Sequence, residues 1–247
     1  MKSLAVWIPV GVTVFAVTLG AVAFKKTEVR TRTLATYSTP LEGRLRSQRH
    51  NAELCLEKLN GVEIGPHEVF SFNKTVGTWS RDRGYRKAPV SYNGQLVESW
   101  GGGVCQTSTT LYNAALLSGM TIVERHPHRF APGYVPPGRD AAVAFDRIDL
   151  RFANPYDFPV KVSARVENDR LVIQLTGDGK ATPVVLREEV RQRREPMQVT
   201  VRGGTSGRVR NSGKAGYEVV VWRLLGNKRE LVSTDDYPAM HRIVEYR

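Results

Sequence analysis

The stretch that organises this chain is GGGVCQTSTTLYNAALLSG, residues 101–119, in which three glycines precede one cysteine. The small and apolar residues after the cysteine predict a helix from about residue 106 to residue 118, which Gly119 would end. Cys105 then lies at the first turn, where unpaired backbone N–H groups and the positive end of the helix dipole stabilise a thiolate. The pattern indicates either a reactive thiolate or a small residue that packs well, because glycine loops before helices are common.

The second cysteine belongs to an amphipathic helix upstream of this stretch. In RSQRHNAELCLEKLNG the apolar residues Ala52, Cys55, Leu56 and Leu59 follow the i, i+3, i+4, i+7 spacing of one helix face. Cys55 is therefore predicted to be a small core residue. A disulfide between Cys55 and Cys105 is the alternative, since two cysteines in an exported chain can pair.

Downstream of residue 120 the hydrophobic pattern changes from the period of a helix to that of a strand. Runs such as FPVKVSARV and RLVIQLTG are rich in β-formers, and TGDGKATP, residues 176–183, marks a boundary before a further β-rich segment. A helix followed by an antiparallel sheet predicts the α+β fold class. The predicted architecture is an N-terminal membrane segment, a helix plus antiparallel-sheet catalytic domain, and a small all-β C-terminal module.

The N-terminus carries an uncharged apolar segment, residues 3–24, which is long enough to cross a bilayer as a helix. Residues 1–24 are predicted to be a signal anchor or a signal peptide, with membrane contact through residues 4–24, and residues 25–40 a tether. The expected location is the cell membrane, as a single-pass protein with an extracytoplasmic domain, or outside the cell if the segment is cleaved. The cations after the segment outnumber those before it, a bias that favours the opposite orientation.

The charge of the chain points to an anionic partner. Lys and Arg number 36 against 24 Asp and Glu, which gives a formal net charge of +12. The cations are scattered singly, and no helix-turn-helix, zinc-finger or aromatic RNA-binding motif accompanies them, so nucleic acid is not an expected partner. Anionic polymers of the cell wall suit the same charge.

A cysteine nucleophile needs a base, and two of the five histidines lie about twenty residues after Cys105. His126 and His128 are separated by one proline in ERHPHRF, which predicts a strand end or a loop. Asp140 in PPGRDAAV is the first candidate to orient the base, with Asp149 behind it. A zinc site that combines Cys105 with both histidines is an alternative, and so are plain surface histidines.

Three separated motifs resemble the VanW-like family: LNGVEIGPHEVFSFNKTVG, GGGVCQTSTTLYNAALLSGMTIVERHPH and YVPPGRDAAV. The likeness covers residues 41–178 as a VanW-like domain, and residues 183–247 resemble a G5-type β module with an incomplete glycine pattern. The family is named from a vancomycin resistance cluster and occurs in exported or anchored bacterial envelope proteins. Some of its members act as L,D-transpeptidases through the motif cysteine.

The resemblance implies a peptidoglycan substrate and assigns Cys105 as the catalytic nucleophile. His128 or His126 is expected to transfer protons, Asp140 to orient the base, and no metal or organic cofactor is expected. Residues in or beside the motifs are expected to bind the stem peptide: Gly102, Gly103, Gln106, Thr107 and Tyr134. The predicted enzyme is an L,D-transpeptidase or L,D-carboxypeptidase that forms a thioester acyl-enzyme. The alternative is a non-catalytic envelope module that binds wall polymers or is associated with glycopeptide resistance.

Overall fold

The computed structural model describes residues 31–92, 95–180, 182–203 and 207–246. The helices are α1 (Arg46–Leu59), α2 (Phe72–Val76) and α3 (Val104–Leu117), with a 3-10 turn at Arg81–Arg83. The first nine strands are β1 (Arg32–Pro40), β2 (Glu63–Ile64), β3 (Val69–Ser71), β4 (Lys87–Tyr92), β5 (Gln95–Trp100), β6 (Thr121–Glu124), β7 (Arg151–Ala153), β8 (Val160–Glu167) and β9 (Arg170–Gly177). The remaining strands are β10 (Val184–Arg194), β11 (Gln198–Arg202), β12 (Val209–Asn211), β13 (Gly216–Leu225), β14 (Lys228–Tyr237) and β15 (Arg242–Tyr246).

The strands in the described part of the chain assemble into five sheets. A four-stranded antiparallel sheet has the order β1-β9-β8-β2, a three-stranded sheet has the order β3-β7-β6, and β4 pairs with β5 as a hairpin. The C-terminal strands form the sheets β10-β13-β14 and β11-β15-β12, and β11 runs parallel to β15. The hairpin matters most for the site, because β5 ends directly before the three glycines.

Helix α3 lies in the interior, packed against α1 and the four-stranded sheet. Nearly all of its residues are buried, including polar ones, so each polar side chain needs a partner. Gln106 donates to the carbonyl of Pro40 at 2.7 Å, and the hydroxyls of Thr110 and Thr39 are 2.8 Å apart. These bonds tie α3 to the end of β1 and hold its first turn in place.

The first C-terminal sheet contacts the far end of α3. Arg223 on β13 is buried, donates to the carbonyl of Met120 at 2.6 Å and pairs with Glu230 on β14 at 2.8 Å. Tyr237 at the end of β14 is also fully buried. The sheet β10-β13-β14 therefore belongs to the packed structure around α3.

The predicted α+β class, with a helix plus antiparallel-sheet catalytic domain, is wrong. Strands hold 46% of the described residues and helices 17%, and the strands are divided among several sheets. Within the described residues only two segments form long helices, because glycine, proline and polar turns divide the other described segments into short β-rich runs.

The N-terminal predictions fall into two parts. The membrane segment predicted at residues 1–24 lies outside the described residues, and within those residues no helix is long and apolar enough to cross a membrane. Of the tether predicted at residues 25–40, residues 32–40 form β1, which pairs with β9. The threonines and the tyrosine of RTLATYSTP favour a strand, and the pairing with β9 fixes it.

Candidate active site

The backbone before Cys105 makes a close turn that only glycine permits. Gly103 is the N-cap of α3 with φ of 112°, and a Cβ at this position would lie 2.3 Å from the carbonyl oxygen of Gln48 on α1. Cys105 is the second residue of the helix, partly exposed, and its Sγ lies 3.5 Å from the carbonyl oxygen of Val143. The thiol therefore occupies the first turn of α3, where the helix N–H groups lack helical partners.

The sulfur of Cys105 has a histidine and an aspartate behind it. The imidazole of His128 hydrogen-bonds the side chain of Cys105, and its Nδ1 lies 2.6 Å from Oδ2 of Asp140. The same oxygen accepts the backbone N–H of His128 at 2.7 Å, so the carboxylate fixes both the ring and the loop that carries it. Cys105, His128 and Asp140 thus lie in one line of interacting side chains, the arrangement that a nucleophile, a base and an orienting acid require.

Asp140 is fully buried, and its second carboxylate oxygen also accepts two hydrogen bonds. Oδ1 accepts from the hydroxyl of Tyr237 at 2.5 Å and from Arg125 at 3.0 Å. Arg125, whose side chain is 6% exposed, also forms an ion pair with Asp235 on β14 at 2.5 Å. A buried carboxylate with four donors and a buried guanidinium beside it stays ionised.

The charge states follow from these contacts. Burial would raise the pKa of the Cys105 thiol, but the hydrogen bond and charge of His128 outweigh it and lower that pKa. Burial would lower the pKa of His128, but the hydrogen bonds to Asp140 and Cys105 raise it to about 10. The pKa of Asp140 is lowered, since His128 and Arg125 outweigh the effect of burial. These shifts favour an ion pair in which Cys105 is a thiolate and His128 an imidazolium.

Cys105 and His128 open into a groove of about 260 Å³. One part of its wall is apolar: Pro89, Val90, Phe130, Pro132 and Met240. Another part is cationic: Arg44, Arg129 and Lys214. A larger cavity of about 430 Å³ lies on the other side of Arg125, against β6 and β14, and Cys105 is not part of its wall. A ligand in the groove that Cys105 lines would lie next to the sulfur of that residue.

Comparison with models of protein families identifies the family of this chain. The family described as VanW like protein matches residues 47–176, which is more than half of the chain. This chain belongs to the VanW-like family. The match stops before β10, so the G5-like resemblance of residues 183–247 stays a prediction.

Two curated relatives share this VanW-like region. The chain is 39% identical over 147 residues to "Uncharacterized protein YoaR" of Bacillus subtilis (strain 168), which covers 60% of this chain and 48% of that protein. It is 30% identical over 133 residues to "Vancomycin B-type resistance protein VanW" of Enterococcus faecalis (strain ATCC 700802 / V583), which covers 52% of this chain and 48% of that protein. The VanW-like chain thus spans about half the length of both relatives. No solved structure matches it.

The VanW-like fold brings together some of the predicted catalytic residues. Cys105, His128 and Asp140 meet, whereas the ring of His126 lies 3.1 Å from Glu124 on the other side of the loop, with 42% of its side chain exposed. Asp149 accepts hydrogen bonds from the hydroxyl of Ser71 at 2.5 Å and from the backbone N–H of Asn73, and so stabilises the start of α2. In the described part of the chain no group of three or more His, Cys, Asp or Glu side chains is arranged to hold a metal.

Most of the predicted substrate-binding residues line the groove. Gly102, Gly103, Gln106 and Tyr134 do so, and the hydroxyl of Tyr134 donates to the carbonyl of Cys105 at 3.4 Å. Thr107 does not, since it is fully buried and points to the carbonyl of Ala52 on α1. The amide of Gln106 is held by Pro40, so its role at the groove is to support the first turn of α3.

The prediction for Cys55 is confirmed. Both cysteines are free, so the alternative disulfide does not form. Cys55 is fully buried, its Sγ lies 3.5 Å from the hydroxyl of Tyr85, and burial raises its pKa to about 12. It is an unreactive core residue.

Three contributors to this VanW-like site were missed from the sequence. Arg125 lies inside the ERHPH motif, directly before His126, and that position was the only local signal for its role. Tyr237 and Lys214 lie about a hundred residues away along the chain, in strands or turns with no unusual composition. Only the packing of the C-terminal strands against residues 125–140 brings them to the site.

Proposed function

We propose that this chain is a peptidoglycan-modifying cysteine enzyme, an L,D-transpeptidase that acts on stem peptides through a thioester. The observation that carries the proposal is the line of Cys105, His128 and Asp140 at the edge of a groove. Membership of the VanW-like family supports the cell-wall substrate, since one relative is a vancomycin B-type resistance protein by name. The charge of the chain agrees with an anionic wall environment.

In the acylation step the thiolate of Cys105 attacks the carbonyl carbon that joins the L-centre of the third stem residue to the terminal D-Ala. The backbone N–H of Cys105 is assigned to stabilise the oxygen that becomes negative in the tetrahedral intermediate, because the N–H groups of Val104 and Gln106 already donate to the carbonyls of Gly101 and Gly103. The C–N bond then breaks, and the imidazolium of His128 gives its proton to the departing amine of D-Ala. The product is a thioester on Cys105 and free D-Ala.

In the deacylation step the side-chain amine of a neighbouring third residue attacks the thioester. Neutral His128 accepts the proton of that amine, the C–S bond breaks, and the thiolate is restored beside an imidazolium. The product is a 3-3 cross-link. If water attacks instead, the same sequence releases a tripeptide, which is the carboxypeptidase outcome.

The proposal is tested with the purified chain and disaccharide-tetrapeptide fragments of peptidoglycan. The unchanged chain is expected to form dimers with 3-3 cross-links and to gain the mass of a carbapenem on Cys105. Cys105→Ala is expected to do neither, and Cys55→Ala, which removes the other cysteine, is expected to keep the adduct. Identical products from the unchanged chain and Cys105→Ala, with no adduct on either, would favour the non-catalytic envelope module.

The proposal also assigns the folded part to the outer side of the cell membrane, because stem peptides are found there. Protease added to intact, wall-stripped cells should then degrade it. Protection of the chain under conditions that degrade a known surface protein would place it inside the cell and exclude this substrate.

A further inference from the structure

The groove beside Cys105 contains an arginine whose hydrogen-bonding capacity is incomplete. Arg44 lies between β1 and α1, half-buried, with its guanidinium carbon 4.9 Å from the centre of the Tyr134 ring. Its Nε is buried and has no hydrogen-bond partner among the described residues. A buried donor without a partner is costly, so its retention calls for an explanation such as a ligand.

The charges around Arg44 indicate the sign of that ligand. Apart from the pair of Cys105 and His128, the described residues that line the groove include three cationic side chains and no carboxylate: Arg44, Arg129 and Lys214. Asp140 beneath His128 is already neutralised by His128 and Arg125. The cationic side chains in the wall of the groove therefore favour an anionic ligand.

The position of Arg44 is tied to that of the nucleophile. Tyr134 stacks under the guanidinium, and its hydroxyl donates to the carbonyl oxygen of Cys105 at 3.4 Å. A single aromatic ring thus connects Arg44 to the residue that attacks. An anion on Arg44 and a carbonyl at Cys105 can belong to one short peptide, which the apolar wall of the groove also suits.

We propose that Arg44 binds a carboxylate of the acyl-donor peptide and thereby holds that peptide against Cys105. The proposal rests on the function proposed above, whose donor ends in D-Ala. A guanidinium donates two parallel hydrogen bonds to a carboxylate, through Nε and one Nη or through both Nη atoms. The carboxylate comes from the C-terminus of the leaving residue or from the γ-linked glutamate earlier in the stem.

The experiment uses Cys105→Ala so that binding is measured without reaction. The probes are the synthetic tetrapeptide L-Ala-γ-D-Glu-L-Lys-D-Ala, its C-terminal amide, and its analogue with the glutamate carboxylate amidated. Calorimetry should show that one of the two amides binds on the order of tenfold more weakly than the diacid. Which amide loses affinity identifies the carboxylate that Arg44 binds.

Variants of Cys105→Ala then assign the effect to Arg44. Adding Arg44→Gln should remove the preference for the free carboxylate, and adding Arg44→Lys should keep part of it, because the charge remains and the fork is lost. Arg46→Gln is the matched control, since Arg46 is exposed at the start of α1 and does not line the groove. The circular dichroism spectrum checks that each variant is folded.

Three results would overturn the proposal: equal affinity for all three peptides, no measurable binding, or a preference that survives Arg44→Gln. These outcomes separate the two proposals. If the peptide preference depends on Arg44 while the unchanged chain never forms an acyl-enzyme, the carboxylate site stands and the transpeptidase does not. If the acyl-enzyme forms without any carboxylate preference, the enzyme stands and the role of Arg44 does not.

Discussion

The ionisation of Cys105 depends on the residue that faces it more than on its place in the helix. Burial opposes the thiolate, and the bond from His128 overcomes that opposition. His128 is charged in turn because it is bonded to both Asp140 and Cys105. The thiolate and the imidazolium stabilise each other, so each should titrate outside its ordinary range.

The rate at which iodoacetamide alkylates Cys105 should report this pair. We expect the rate to rise at a pH below the titration of an ordinary thiol, because His128 lowers the pKa of Cys105, and to change again near pH 10 as His128 loses its proton. The pair stabilises the folded chain at neutral pH. The His128 contribution is present below the unfolded histidine pKa and is lost as pH rises through about 10, and the Cys105 contribution is lost as pH falls through its lowered pKa.

Peptide mapping by mass spectrometry measures the alkylation and separates the two cysteines. Cys55 serves as an internal control, since its burial and its raised pKa of about 12 should leave it unmodified while the chain is folded. A single titration of Cys105 in the range of an ordinary thiol, with no change near pH 10, would contradict the paired state.

The two histidines of the HPH motif should behave differently when each is replaced by asparagine. His128→Asn removes the charge that opposes burial, so the pKa of Cys105 should rise and alkylation at pH 7 should fall by roughly tenfold or more. His126→Asn should leave the rate nearly unchanged, since its ring contacts Glu124. The reverse pattern in the same assay would assign the base to His126.

At the scale of elements, the site depends on how α3 begins. The hairpin β4-β5 delivers the chain to Gly101, and the backbone then passes close to α1 before the helix starts. The contact of Gly103 with the carbonyl of Gln48 sets the distance between α3 and α1. The first turn of α3 is therefore positioned by backbone packing, and a side chain at this point would displace it.

Gly103→Ala should destabilise the fold strongly. The backbone at φ of 112° disfavours any side chain, and the added Cβ would meet the Gln48 oxygen, so we expect the free energy of unfolding to fall by about 2–5 kcal/mol. Gly133→Ala is the matched control, since an added Cβ there meets nothing within 4 Å, and its change should stay within about 0.5 kcal/mol. Urea unfolding measures both. Equal stability of the two variants would mean that the turn before Cys105 tolerates a side chain.

The sequence predicted the elements near Cys105 better than the architecture around them. The helix expected from about residue 106 to residue 118 is found as Val104–Leu117, since its pattern of small and apolar residues is local information. Strand β1 was missed because polar and apolar residues alternate only loosely in RTLATYSTP, and its pairing with β9 is a long-range contact. The division of the strands into separate sheets leaves no mark in any local window of sequence.

At the scale of the whole molecule, a line of alternating charges connects α3 to the C-terminal sheet. It runs from Cys105 through His128, Asp140 and Arg125 to Asp235 on β14, and most of it is buried. Cys105 and Asp140 could be named from motifs that lie close together in sequence. Asp235 could not be predicted in this way, because it comes about a hundred residues later in the sequence. It contacts Arg125 only because β14 packs against this part of the chain.

Tyr237 is the second link between β14 and the site, and Tyr237→Phe should alter the response of the chain to acid. Its hydroxyl donates to Asp140 at 2.5 Å and accepts the N–H of Gly138 at 3.1 Å, so its loss should lower the free energy of unfolding by about 1–3 kcal/mol. Burial raises the pKa of Asp140, His128 and Arg125 lower it, and the hydrogen bond from Tyr237 lowers it further by a smaller amount. Without it, that pKa rises toward the unfolded value.

The sign of the pH effect follows from this shift. A carboxylate with a lowered pKa stabilises the folded state above its unfolded pKa, and that contribution is lost as pH falls through the folded pKa. In Tyr237→Phe the loss should therefore begin at a higher pH, and circular dichroism during acid titration should show a midpoint of unfolding above that of the unchanged chain. Tyr246→Phe is the control, because Tyr246 lies at the exposed end of β15, and its midpoint should not move. If both variants unfold at the same pH as the unchanged chain, Tyr237 does not hold Asp140 in its ionised form, and the C-terminal sheet supports the site by packing alone.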